Sequence, residues 1–376
     1  MKLYRKAARI QTVVCGFLFS AFSIVYLYVF QPYVMEALHF SLAHGKTRYA
    51  PLASAITLTL VLVLLQIVVC RLFRLKKIGE AVAYFPSFLI LGALTDVGRS
   101  VYTSHCSSSW PWLLPLVLSV FAGLLFLFRR WQEPEPEDSG MTVQWNGSLG
   151  VMLSFACMTV AIGNTDTGFH HELEMEYCLR QGDYARALRV GERVGAPTRT
   201  QTALRAFALS HTGRLGDRLF EFPQPYGSAG LFFPADSAVS LRFTNDSLYA
   251  LLGARPAAGK NPVEFLRALC YEEQGKHTAL DYYLSALLLD KRLEDFVQAV
   301  EDFCEAPDSL PRHYQEALAQ YQATHARTPA LLSDSTWLHR YAAYQSATEN
   351  GGSLEERRKA ARESFGTTYW WYADFQ

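Results

Sequence analysis

The sequence predicts an all-α protein in two parts, about five transmembrane helices followed by a water-soluble helical domain. Three observations carry that prediction. Five apolar runs fall within residues 1–163, each close to the ~18–20 residues that cross a bilayer at about 1.5 Å rise per residue. Beyond residue 163 the chain becomes a succession of amphipathic helical patterns with short turns and no sustained strand alternation. The charge changes sign with the pattern: residues 1–163 carry 13 Lys+Arg against 7 Asp+Glu, residues 164–376 carry 22 against 28, and a formal net charge of zero conceals the difference. The expected domains are therefore 1–163 and 164–376. An acidic soluble part argues against nucleic acid as a partner, since phosphate backbones select a basic face.

The spans are expected at about residues 10–30, 51–70, 81–97, 110–128 and 145–163. Lys2, Arg5, Lys6 and Arg9 precede the first. That basic start resembles a signal peptide, but the run is longer than a signal core, no small-x-small cleavage site follows, and further spans come after it, so it reads as a retained span. The third run is the weakest, with Pro86 one turn in and Asp96 and Arg99 closing it. Placing the N-terminus in the cytoplasm puts ten Lys/Arg of the short loops inside and leaves only Lys46, Arg48 and Arg99 outside, a positive-inside bias. Five spans then deliver the second domain to the far side of the membrane. Losing the third would reverse that parity. Between the fourth and fifth runs, Pro134 and Pro136 alternate with glutamates, which blocks helix and reads as a solvated linker.

In the second part, helix starts are explicit. Asn261-Pro262-Val263-Glu264 offers a cap with Pro at the first helical position, and Ser353-Leu354-Glu355-Glu356 is a capping box. Gly182-Asp183-Tyr184-Ala185-Arg186-Ala187-Leu188 has the spacing that joins the two helices of a tetratricopeptide repeat, and Gly213 and Gly275 occupy similar settings. Their separations of 31 and 62 residues miss the regular ~34, so the units are degenerate; stacked hairpins would still bury a continuous core. Phe220 to Pro234 breaks the rhythm and reads as a loop packing its own aromatics over the first two hairpins, with a binding role as the alternative. Five aromatics between Tyr369 and Phe375 are too apolar for water and read as a cap on the helix stack, or else as a membrane-interface anchor.

Few residues point to chemistry. His170, His171, Glu174 and Cys178 lie at helical spacing, but Met175 stands where a second zinc-binding histidine would be, and the cluster reads as interfacial solvation rather than a metal site. Gly259-Lys260-Asn261 fails as a phosphate loop, lacking both the first glycine and the Ser/Thr. No nucleophile elbow, dinucleotide fingerprint or distinct acid–base pair appears, and no cofactor is implied. The seven cysteines show no CxxC spacing; a disulfide among Cys178, Cys270 and Cys304 is open. Asp96 and Arg99 form an intramembrane polar pair, structural by default and a transport path if they face a cavity.

The late span, the GDYARAL turn, the ALSHTGRLGDRLFEFPQ segment and the terminal FGTTYWWYADF together resemble uncharacterised multi-pass membrane proteins of the Bacteroidota with a tetratricopeptide-like extracytoplasmic domain. The resemblance covers most of the chain. It implies a bacterial inner membrane with the helical domain in the periplasm, and it supplies no activity. The expected function is interaction: the membrane half anchors in the lipid bilayer, and the helical half presents a face to a protein or peptide, with Tyr184, Tyr226, Phe232, Trp370 and Trp371 as candidate contact residues. The alternative is a membrane enzyme or transport component with its site among the spans near Asp96 and Arg99.

Overall fold

Every regular element among the described residues is helical. The computed structural model describes residues 2–75, 78–102, 108–131, 141–234, 242–256, 261–305, 309–325, 335–349 and 353–376. The proline-rich linker, Cys106 and the Gly259-Lys260 pair lie outside them. The chain divides into two compact units after Leu173, the second comprising Glu174–Asp236 and Leu241–Gln376.

The first unit holds α1 (Lys2–Val25), a π-helical turn (Tyr26–Phe30), α2 (Pro32–Ala43), α3 (Pro51–Phe73), α4 (Ile78–Val82), α5 (Phe85–Thr95), α6 (Trp110–Trp131) and α7 (Met141–Ile162). Five segments are long and apolar enough to cross a membrane: Ile10–Phe30, Pro51–Phe73, Ile78–Thr95, Trp110–Leu127 and Trp145–Ile162. This is a membrane protein. Pro32 has no N–H to offer Tyr28, so the first helix cannot continue past it; the chain widens into the π-turn, closed by Gln31 N–H on the Tyr26 carbonyl at 3.0 Å. Pro86 acts likewise in the third span, splitting it into α4 and α5.

That third span is the most enclosed of the five. Phe88, Leu91, Gly92 and Thr95 on α5 are buried, and Phe19 of α1 packs its ring on Tyr84 and Phe88 at 5.0 and 4.9 Å. Its polar groups bond to neighbouring helices: Ser87 donates to the Leu62 carbonyl at 2.8 Å, and Thr159 of α7 donates to the Phe88 carbonyl at 3.0 Å, the polar glue expected between membrane helices. Spans two and four instead expose Leu60, Leu64, Val68, Leu116, Val120 and Leu124, side chains that belong against lipid. The third span, by contrast, is covered largely by protein.

Spans one, three and five run in the same direction. At their starts Gln11 donates to Ser148 at 2.5 Å and Thr12 to Glu80 at 2.5 Å. At their ends the Tyr26 and Thr95 hydroxyls meet at 3.0 Å, and Asn164 N–H donates to the Thr95 carbonyl at 2.9 Å. A Cβ on Gly163 would overlap both of those hydroxyls, so the ends close only around glycine.

The second unit begins inside α8 (Thr167–Arg180) and continues through α9 (Tyr184–Arg189), α10 (Arg199–His211), α11 (Leu215–Arg218), α12 (Asn245–Leu252), α13 (Pro262–Tyr271), α14 (His277–Leu289), α15 (Leu293–Phe303), α16 (Arg312–Thr324), α17 (Thr336–Glu349), α18 (Leu354–Phe365) and α19 (Tyr369–Phe375). From α13 to α19 each helix packs on the next. Both expected caps form: Asn261 accepts from Val263 N–H at 3.0 Å, and Ser353 and Glu356 bond reciprocally. Three hairpins share one turn. Helices α8, α10 and α14, of 14, 13 and 13 residues, end in a left-handed residue, Gly182, Gly213 and Lys291. The following N–H reaches back to the carbonyl of Cys178, Leu209 or Leu287 at 2.9 Å, the helix-ending pattern glycine favours. Gly275 does not adopt this role; Glu273 is the left-handed residue there.

The Phe220–Pro234 segment reaches further than the first two hairpins. Two 3-10 turns, Leu219–Glu221 and Gly227–Leu231, carry it through the interior. The second packs on both α10 and α14, fixed by Ser228 donating N–H and hydroxyl to Asp290 at 2.9 and 2.8 Å. Phe220 meets His313, Tyr369 and Tyr372 at 5.1, 5.3 and 4.8 Å.

Candidate functional site

Asp96 and Arg99 close no pair with each other. Asp96 accepts from the Trp110 indole N–H at 2.8 Å. Arg99 donates to Asp166 at 2.9 Å and to both oxygens of Glu172 at 3.1 and 3.0 Å. The acidic residues after the fifth span thus bind the cation after the third, which is why the first unit runs on to Leu173 rather than stopping at the end of the apolar run. Around them Asn164 donates to the Val97 carbonyl at 2.6 Å, and Gln31 donates to the Asn164 carbonyl at 3.1 Å. This is a fastening of helix ends with its charges committed.

The histidine-rich start of α8 is similarly committed. His170 Nε2 lies 3.0 Å from the Asn164 carbonyl, and Glu174 pairs with Arg186 at 3.1 Å. Cys178 is buried, and desolvation lifts its thiol to about 11. Among the described residues no group of three or more His, Cys, Asp or Glu is placed to hold a metal ion. Cys178, Cys270 and Cys304 are unbridged.

The candidate contact residues separate by environment. Phe232 is buried, and Trp370 is 0 % exposed with its indole N–H on the Glu316 carbonyl at 2.7 Å; both serve the core, because large rings next to a hydrophobic interior gain more there than in water. Tyr184 stacks on His211 at 4.9 Å, beside the Gly182 turn. Tyr226 is exposed and donates to the Pro197 carbonyl at 3.2 Å. Trp371 lines a cleft.

That cavity is a half-open cleft of about 670 Å³ in the second unit. Three stretches of chain form it: the turn after α9, with Glu192 and Arg193; the segment after α11, with Phe220, Glu221, Phe222, Pro223 and Pro225; and the α18–α19 corner, with Arg358, Arg362, Trp371 and Phe375. The corner is held by a network of hydrogen bonds. Thr368 caps α19 by accepting from Trp371 N–H at 3.3 Å. Buried Glu316 accepts from Tyr369 N–H at 2.8 Å, from His313 Nδ1 at 2.9 Å and from Arg312 Nε at 2.9 Å. Burial pushes the Glu316 carboxyl up, but the His313 hydrogen bond, the charges of His313 and Arg312 and the Tyr369 N–H outweigh it and hold the carboxyl below its usual range.

Cations gather at the cleft's aromatic walls. The Arg358 guanidinium lies 5.7 Å from the Trp371 ring, and those of Arg205 and Arg218 lie 4.9 and 5.9 Å from Phe222. Arg218 also pairs with Glu221 at 2.7 Å. Arg205 does not line the cleft. It is 1 % exposed behind Phe222, donates to the Val190 and Gly191 carbonyls at 3.2 and 2.6 Å, and has its side chain pulled down to about 10 by desolvation. Sequence reasoning did not single out these arginines, because the cleft joins stretches far apart in the chain; of its lining, Trp371 and the Phe220–Pro234 segment carried a signal.

A family model matches residues 97–254 and 255–376. The chain belongs to DUF6057, a family of unknown function. The matched residues take in the last two spans together with the whole second unit, so the DUF6057 pattern includes membrane attachment and helical domain alike. No curated protein and no solved structure matches the chain.

Proposed function

We propose that this chain is a membrane-anchored interaction protein. Its first unit holds it in a bacterial inner membrane with the N-terminus in the cytoplasm, and its second unit is a tetratricopeptide-like hairpin array that meets a protein or peptide partner in the periplasm. The observation that carries the reading is the arginine- and aromatic-lined cleft of the second unit. Arg and Trp are enriched among the residues that dominate binding energy at protein interfaces, and Arg193, Arg358 and Arg362 have no ion-pair partner among the described residues. Hairpins turning on Gly182 and Gly213 support the repeat-like reading, and the ten-to-three bias of basic loop residues supports the orientation.

Site-directed photocrosslinking in living cells tests it. A photoreactive amino acid replacing Arg193 or Arg358 in the full-length chain is expected to give one discrete protein adduct, lost when Trp371→Ala is added. A ladder of unspecific adducts equal to that from an exposed control position, Leu354, would sink the reading.

A further inference from the structure

The cleft is richer in unmatched positive charge than an interaction surface requires. Arg193 arrives from the turn after α9, Arg358 and Arg362 from one face of α18, and none of the three has an ion-pair partner among the described residues. Behind the Phe222 wall, Arg205 is buried with Nε and Nη1 lacking any hydrogen-bond partner, and the indole Nε1 of Trp371, itself 5 % exposed, also lacks an acceptor. Desolvation of a buried guanidinium is costly, and here the charge of Glu192 offsets it only in part. An anion in the cleft would relieve that cost through the field it adds beside Arg205. The cleft thus joins three arginines to a buried guanidinium and an indole whose donors are not all satisfied.

The remaining lining selects the kind of anion. Glu192 and Glu221 border the same space, which disfavours a compact dianion such as phosphate, while singly charged carboxylates spaced along a chain can meet the arginines and avoid the glutamates. Guanidinium groups bind carboxylates through two parallel N–H bonds. Phe222, Trp371 and Phe375 supply apolar contact between the charged positions, and the volume lies within the range of ordinary ligand sites. We propose that the cleft binds an acidic peptide segment of the partner, its carboxylates taken by Arg193, Arg358 and Arg362 and its apolar side chains laid on Phe222, Trp371 and Phe375. This rests on the interaction reading given above.

The test uses the full-length protein in nanodiscs of neutral lipid, titrated by calorimetry with a hexapeptide of alternating glutamate and phenylalanine. A second peptide carries glutamine in place of each glutamate. The acidic peptide is expected to bind at least tenfold more tightly than the glutamine peptide, to weaken as salt rises, and to lose at least tenfold in affinity on Arg358→Gln with Arg362→Gln. These side chains are exposed, so the variant retains the fold, checked by an unchanged melting temperature. Equal binding of the two peptides, or an acidic peptide indifferent to the double substitution, overturns the proposal. So does complete displacement by millimolar inorganic phosphate, which would mark a small-anion site. If the glutamine peptide binds as well as the acidic one and Trp371→Ala abolishes both, the acidic preference fails while the interaction reading stands. If neither peptide binds and no photocrosslinked protein forms, both fail.

Discussion

Glu316 is a carboxylate 0 % exposed, kept charged by Arg312, His313 and the Tyr369 N–H while its own backbone carbonyl receives the Trp370 indole. Because His313 Nδ1 faces an acceptor, that nitrogen carries the proton. Replacing Glu316 with Ala leaves Arg312 without its counter-charge and His313 Nδ1 without its acceptor, and frees the start of α19; a loss of about 3–5 kcal/mol is expected from breaking a buried pair, read by denaturant unfolding. The pH dependence follows from the lowered folded value. The stabilisation is fully present above the usual carboxylate range and is lost as pH falls through the folded value beneath it. Thermal melts from pH 7 to pH 3 should therefore show the wild type losing more stability at the acid end than Glu316→Gln, and parallel curves would refute the assignment. None of this was legible in the sequence. The stretch Arg312 to Tyr321 reads as an ordinary amphipathic helix, and the bond that matters joins residues 316 and 369.

Among the helical hairpins, the same turn is built from different residues. Gly182 and Gly213 were readable because glycine adopts a left-handed backbone at little cost. Lys291 was not, since a lysine in that conformation leaves no mark in the sequence; it is held instead by its amino group on the Ala373 carbonyl at 2.8 Å. Gly275 was misleading, as its φ is ordinary and it is needed for space, a Cβ there lying 2.8 Å from Ala279 and 3.2 Å from the Leu269 carbonyl. The two kinds of glycine respond differently to substitution. A Cβ on Gly213 meets nothing within 4 Å, so Gly213→Ala should cost only the left-handed penalty of about 1–2 kcal/mol, and Gly213→Asn should recover much of it. Gly275→Ala should cost about 1–3 kcal/mol by overpacking, with Gly275→Asn worse still. Equal recovery by asparagine at both sites, in chemical melts, would contradict the distinction.

At the scale of the whole molecule, the proposed compartment of the second unit depends on the third span crossing the membrane. With spans one, three and five co-directional, alkaline phosphatase fused after Gln376 is expected to be active and a fluorescent protein fused there dark in a bacterial host; the reverse result would overturn the proposed orientation. The sequence by itself determined the all-α class, the five apolar segments and the change of charge near residue 163, because hydropathy and helical periodicity are local properties that every window of chain displays. It also marked the capped helix starts and two of the three shared turns. Only tertiary structure decided that the third apolar run, interrupted by Pro86, is the most enclosed of the five, that Asp96 and Arg99 bind Trp110, Asp166 and Glu172 rather than one another, and that Trp371 borders a cleft while Trp370 fills the core. Those outcomes depend on which distant segments meet. A buried Ser87 and a buried Glu316 are tolerable only beside the partners that satisfy them, and such partners cannot be found by reading along the chain.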